Sequence, residues 1–338
     1  MKALKKHPRL LYALLLCVFL CFQANANTLP HCKELISKGI DAMSKKDYVK
    51  SLELLTEARA LAEKNNWHEQ LFLANNNIGN TYYSMLDYGE AINYYLEAYN
   101  IALKELEPVN EMVVLNNIAI LYSKENNQTR AREYFKKAYD IAKQNNDRVK
   151  IGMYALNLGN LSNEINQPNE ARKYILEALP YLKGQTYLLL QAETTLAENE
   201  LLLGFPKKAR EKAQNILLNG GDTTYNDTAI SLLLIIARSY LAENNFPEAI
   251  SYANKVLAKN VNLETKFSAF RLLSDIYAKS NRLETALAYK DSLLATQQKL
   301  NEIKNGRQFE NNRVKFEIQN YKNEIAVKEE KLEAERKL

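Results

Sequence analysis

The residues with the most to offer chemically are side-chain amides. Asn77, Asn117 and Asn157 stand 40 residues apart, each two positions before a small residue (Gly79, Ala119, Gly159). Asn80 and Asn160 directly follow that small residue, and Asn76 and Asn116 extend the row. An amide is both donor and acceptor, so a ladder of amides can hold the backbone of an extended peptide whatever its side chains. The same residues could instead satisfy one another or neighbouring helix ends, and spacing alone leaves both readings open. Acid–base, nucleophilic and metal chemistry find no comparable constellation. His7 lies in an N-terminal leader, and His31 and His68 fall in different segments with no acidic or cysteine partner at metal-ligand spacing. No phosphate-cradling glycine loop, zinc-protease helix motif or nucleophile elbow occurs. Carboxylate pairs such as Glu329-Glu330 sit in a charged run, which reads as a solvated helix face. The expectation is a non-enzymatic binding protein without metal or cofactor.

The elements that carry these amides follow from composition. Of 338 residues, 46% are hydrophobic and 25% charged, enough for a sizeable core, while only 10 Gly and 7 Pro argue against a loop-rich β fold. Apolar residues recur at i, i+3, i+4 and i+7, the helical period. The first 26 residues stand apart. Lys2, Lys5, Lys6 and Arg9 precede an apolar run from Leu10 to Phe22, and Ala24-Asn25-Ala26 is a small-x-small site. This predicts an export signal cleaved after Ala26, because such a run is short for a bilayer span; the alternative is an uncleaved N-terminal anchor. Cleavage removes 4 of the 45 basic residues and none of the 40 acidic ones, taking the formal charge from +5 to +1. A nearly neutral body gives no electrostatic footprint for nucleic acid. It also leaves Cys32 as the one remaining thiol, expected to be buried in a helix.

The chain repeats itself every 40 residues. Gly39, Gly79, Ala119 and Gly159 form one series; Ser51, Ala91, Ala131 and Ala171 another; Leu55, Tyr95, Phe135 and Ile175 a third; and Ala58, Ala98, Ala138 and Ala178 a fourth. Weaker copies follow around Ala197, Ala209, Ala213 and Ile216, around Ala237, Tyr240, Ala249, Ala253 and Val256, and around Ser274, Tyr277, Ala286 and Leu293. Each unit reads as helix A, turn, helix B, for example 70–85 and 88–105. Asp87 is the expected N-cap with Glu90 three residues on, Asn245 and Glu248 repeat that pattern, and Pro168 and Pro206 open helix B. Small residues at the 79 and 91 positions would let helices A and B approach closely. A lone hairpin cannot bury its apolar face, so the copies must stack.

Ile78-Gly79, Tyr82, Ala91, Tyr95 and Ala98, echoed in Ile118-Ala119, Tyr122, Ala131, Phe135 and Ala138, resemble the tetratricopeptide repeat over roughly residues 31 to 296. The resemblance implies an all-α, right-handed α-solenoid of about seven helical hairpins spanning 27–296, then a long charged helix at 297–338. It also implies a concave groove lined by A helices that takes a protein or extended peptide. The ligand-facing residues would be Asn76, Asn77, Asn80, Tyr83, Asn116, Asn117, Asn157, Asn160, Arg238 and Arg271. Asn80 and Asn117 match asparagines of the chaperone-type carboxylate clamp in this family, but Asn76, Met153 and Asn157 stand where the clamp's basic residues belong. That favours reading of peptide backbone over capture of a terminal carboxylate.

In the tail, Val314, Ile318, Tyr321, Ile325 and Leu332 space as a narrow heptad seam interrupted by Lys328, with Gly306 the sole glycine after Asp291. Two readings stand: a homodimeric coiled coil, or a solvated helix capping the last repeat. A leader, repeats and charged helix in this order are also similar to the periplasmic sensor half of Bacteroidetes membrane regulators of the helix-turn-helix or histidine kinase type. The sequence ends at Leu338 with no membrane helix or output domain, departing from that pattern. The expectation is the sensory part of such a regulator, with a stand-alone periplasmic scaffold for envelope complexes as the alternative.

Overall fold

The structure, a computed structural model, describes residues 28–221 and 226–337. The leader and its cleavage point lie outside them. Among the described residues fourteen α-helices follow one another as hairpins, giving an all-α solenoid. Hairpin 1 is α1 (Leu29–Ser44) and α2 (Tyr48–Lys64); hairpin 2 is α3 (His68–Ser84) and α4 (Tyr88–Glu105). Hairpin 3 is α5 (Pro108–Lys124) and α6 (Gln128–Gln144), and hairpin 4 is α7 (Arg148–Glu164) and α8 (Pro168–Tyr181). Hairpin 5 is α9 (Thr186–Leu202) and α10 (Pro206–Ile216), extended by a π-helical turn at Leu217–Gly221. Hairpin 6 is α11 (Asn226–Ala242) and α12 (Phe246–Leu257). Hairpin 7 pairs α13 (Leu263–Lys279) with the start of α14 (Leu283–Lys337), and the division expected at residue 297 falls inside that helix.

Two compact units result. One comprises the described residues up to 114 together with 307–337; the other spans 115–306. In the first, α1 packs on α2, α2 on α3, α3 on α4, and α1 also on α3. In the second, consecutive helices from α6 to α13 pack in turn, and α7, α9, α11 and α13 also pack A helix on A helix.

The turns explain part of the asparagine content. Connections between helices are mostly tight, with one residue in the left-handed region: Lys46, Asn66, Leu86, Asn126, Asn146, Asn166, Asn244 and Asn281, or Gly184 and Gly204. Asparagine tolerates that conformation better than other side chains with a Cβ. The next residue often caps the following helix. Side-chain oxygens of Asp47, Asp87, Asn127, Asp147 and Asn245 accept from the backbone N–H three residues on. Helix α3 begins at His68 rather than Gln70, because the left-handed Asn66 ends the preceding helix and releases the chain there.

The small residues sit where helices A and B cross. A Cβ added at Gly39 would lie 2.7 Å from Leu55 Cγ, at Gly79 2.6 Å from Tyr95 Cδ1, and at Gly159 2.7 Å from Ile175 Cγ1. Ala58, Ala91, Ala98, Ala131, Ala138, Ala171 and Ala178 are fully buried. A second series was missed in the sequence: Tyr82 stacks on Tyr94, Tyr122 on Tyr134, Tyr240 on Tyr252 and Tyr277 on Tyr289, with ring centroids 5.4–5.7 Å apart. Each pair joins helix A to helix B twelve residues later, and such a stack contributes about 0.5–1.5 kcal/mol beyond its burial. Cys32 is buried and donates to the Ala58 carbonyl at 3.4 Å, and burial pushes its thiol pKa up.

The tail helix corrects one expectation. Val314 and Ile318, assigned above to a dimer seam, are buried within the first unit of the same chain, and Tyr321 is half-buried with them. Val314 and Ile318 thus form an apolar stripe covered within the chain, and the side chains of Ile325 and Leu332 lie outside those described.

Candidate functional site

Counted from the small residue of each A helix, the candidate side chains fall at positions −3, −2 and +1, with Tyr83 at +4. These are i, i+3 and i, i+4 neighbours and share one helix face.

In the first unit it carries Asn76, Asn77, Asn80 and Tyr83 of α3. Asn76 and Asn77 are buried, and the Asn77 amide donates back to the Leu73 carbonyl at 2.8 Å. Asn80 donates to Asn77 Oδ1 at 3.3 Å, and its own Oδ1 accepts the Tyr95 hydroxyl at 2.8 Å. This reassigns Asn80. Tyr95 fills the notch over Gly79 and is buried, so its hydroxyl needs an acceptor, which Asn80 supplies. Burial also raises the Tyr95 pKa far above the ordinary phenol value. Tyr83 is half-buried against Tyr88, ring centroids 5.6 Å apart. On α3 the Asn77 and Asn80 amides are engaged within their own hairpin.

In the second unit the face runs over five A helices, four of them joined by cross-hairpin pairs. Asn157 Nδ2 of α7 donates to Asn116 Oδ1 of α5 at 2.8 Å. Thr195 Oγ1 of α9 donates to Asn160 Oδ1 of α7 at 2.8 Å. Arg238 of α11 holds Glu198 of α9 in a fork, both N–O distances 2.6 Å. Asn117, Asn157 and Asn160 are half-buried, and Arg271 and Asp275 of α13 are exposed at the −3 and +1 positions. Sequence reasoning missed Thr195 and Glu198, although the register places both on this stripe. It also placed Arg238 among the ligand-facing residues, whereas Glu198 already neutralises that guanidinium. The stripe therefore presents amides, a hydroxyl and a closed ion pair rather than a field of one sign.

Little here resembles catalytic machinery. Among the described residues no group of three His, Cys, Asp or Glu side chains could hold a metal ion. His31 and His68 each have a carboxylate 3.9 Å away, Glu34 and Glu105, in exposed two-member pairs that the sequence reading overlooked. No helix among the described residues is long and apolar enough to cross a membrane.

Residues 35–104 and 70–144 match the tetratricopeptide repeat family. A search of curated proteins returns no significant match. Solved structures share the fold at low identity. Aspartyl phosphate phosphatase F from Bacillus subtilis superposes with a TM-score of 0.65 at 17% identity, over 85% of this chain and 75% of that one. NprR in complex with its cognate peptide NprX gives 0.60 at 12% identity, over 79% and 78% of the two chains. A tetratricopeptide repeat protein from Parabacteroides merdae gives 0.59 at 17% identity, over 78% and 93%. Residues 35–144 thus carry the tetratricopeptide repeat by sequence, and the hairpins beyond them repeat its fold.

Proposed function

We propose that this chain is a non-enzymatic, exported solenoid that binds a protein or extended peptide along the A-helix stripe of its second unit. The observation that carries the reading is the run of cross-hairpin polar pairs, Asn116–Asn157, Asn160–Thr195 and Glu198–Arg238, held on one face in a fixed register. An amide that spends one hydrogen bond on its neighbour is oriented by it and retains further donor and acceptor capacity. Such a row reads backbone N–H and C=O groups and is indifferent to ligand charge. The likeness in fold to a peptide complex, that of NprR, supports the ligand class. We place the protein in the cell envelope, on the strength of its leader, as the sensory portion of a signalling protein. A stand-alone envelope scaffold is the second reading.

The test is selection of peptides from a random display library on the whole chain, then affinity measurement for Asn117→Ala/Asn157→Ala/Asn160→Ala. Losing hydrogen bonds worth about 0.5–1.5 kcal/mol each should weaken binding by about 10-fold or more with helicity unchanged. Equal affinity in the triple variant would remove the stripe from the ligand site.

A further inference from the structure

The contacts that residues 307–337 of α14 make within the first unit share one chemistry. Val314 and Ile318, one turn apart, are buried. Around them the side-chain contacts are polar. Asn311 Nδ2 donates to the Met85 carbonyl at 2.9 Å, and Lys315 Nζ lies 2.7 Å from Asp87 Oδ2 and 3.5 Å from Glu90 Oε1. Tyr321 donates to Glu57 Oε2 at 3.3 Å, and Lys322 Nζ donates to the Tyr94 hydroxyl at 2.9 Å while lying 5.7 Å from that ring's centroid. The receiving surface, built from α2, the α3–α4 turn and α4, is acidic and aromatic. The segment brings two lysines to it.

This contact differs from those that hold the hairpins together. Among the described side chains of 307–337, Val314 and Ile318 are the buried apolar pair, while Phe316 and Val327 are 67% and 50% exposed. Lys315 and Glu90 are each about one-third exposed, so salt screens their attraction, while Asp87, 13% exposed, is screened less. Gly306 directly precedes the segment. A Cβ there would meet nothing within 4 Å, so packing does not require glycine; its effect is to make the helix easier to bend at that point.

We propose that residues 307–337 are a releasable latch: a basic amphipathic helix docked in cis on a binding site formed by Glu57, Asp87, Glu90 and Tyr94. Release uncovers the acidic, tyrosine-bearing site and the Val314–Ile318 stripe together, so one event exposes two complementary surfaces. The site recognises helices of that chemistry, and the chain's own tail is its resident occupant.

Nitroxide labels at Asn100→Cys and Ala326→Cys, both exposed and both in the first unit, report docking by pulsed dipolar spectroscopy on the whole chain. Cys17 and Cys21 are replaced by serine, and Cys32 is buried and stays unlabelled. A narrow distance distribution is expected at about 0.01 M salt and a broad added component at about 1 M, as the Debye length falls from about 30 Å to about 3 Å. Lys315→Glu should give the broad component at low salt. Adding Asp87→Asn and Glu90→Lys should restore the narrow one, with asparagine preserving the α4 cap. Val314→Asp/Ile318→Asp should be broad at every salt concentration, with far-UV circular dichroism reporting that the hairpins stay folded; should that variant not fold, the Lys315 series decides alone. A narrow distribution that survives high salt and Lys315→Glu would make the segment a fixed part of the fold and overturn the latch. So would a broad distribution in the unmodified chain at low salt. Loss of the narrow distance on dilution with unlabelled chain would assign the site to a second copy's tail and overturn docking in cis.

Discussion

Replacing Gly79 by alanine adds one methyl group where α3 crosses α4. In an open helix position the change is favourable by about 1 kcal/mol through backbone entropy. Here the new Cβ would lie 2.6 Å from both Cδ1 and Cε1 of Tyr95, so the ring must move. Overpacking of this kind costs about 1–3 kcal/mol. Moving the ring also breaks the 2.8 Å hydrogen bond from Tyr95 to Asn80, worth about 1 kcal/mol. The net expectation is destabilisation by about 1–3 kcal/mol after the propensity gain is subtracted. Gly306→Ala is the internal control: nothing lies within 4 Å of its added Cβ, so the same change should stabilise by up to about 1 kcal/mol. Urea unfolding followed by far-UV circular dichroism, at unchanged slope, measures both. If Gly79→Ala unfolds at the same or higher urea than the parent chain, the crossing has room and the assigned register fails.

Three further outcomes follow from the burial pattern and the stripe. Burial raises the pKa values of Tyr82, Tyr95 and Tyr154 above that of a free phenol, so the unfolded chain releases these protons first and stability falls as pH rises beyond about 10. Absorbance of tyrosinate should show a fraction of phenols that ionise only with loss of helicity, and ordinary titration of all of them would contradict the packing. Cys32 should react with a thiol reagent only as fast as hairpin 1 opens, and rapid labelling of the folded chain would show that the Ala58 contact is not formed. Arg238→Gln should lower stability by less than about 1 kcal/mol, since both partners are partly exposed, yet alter peptide selection. A large stability loss would make the pair structural instead.

The repeat was legible because close helix crossings demand small residues at fixed intervals, and Gly39, Gly79, Ala119 and Gly159 are set 40 residues apart. The function of the asparagines was less so. One residue type does three jobs here: left-handed turns at Asn126 and Asn166, caps at Asn127 and Asn245, and stripe positions at Asn116 and Asn157. Spacing separates these uses only once the register is fixed in three dimensions. Asn80 shows the limit best. Nothing in sequence says that its oxygen would be taken by a tyrosine fifteen residues on. The tail offered the opposite case: its apolar stripe was readable, but a stripe does not name the surface that covers it.

The tyrosine stacks carry a consequence for how the second unit comes apart. Hairpins 3, 6 and 7 each have one, whereas hairpin 4 offers Ser162 against Tyr174 and hairpin 5 offers Glu200 against Lys212. Where hairpins 4 and 5 meet, a small apolar cluster of Ala171, Ile175 and Leu196 lies beside buried polar groups: Asn199 donates to Asn163 and to the Pro168 carbonyl, and Arg172 pairs with the buried Glu200. Asn163 Nδ2, Asn199 Oδ1 and Glu200 Oε2 are buried there without protein partners. In a linear array each junction contributes its own coupling, so the weakest one sets where cooperativity breaks. The domain should therefore yield from the middle, splitting into two sub-arrays before its ends fray, and the fault line runs through the stripe that the proposed ligand would span. A bound peptide would act across that line as a splint, and its mechanical signature would be the merging of two unfolding steps into one.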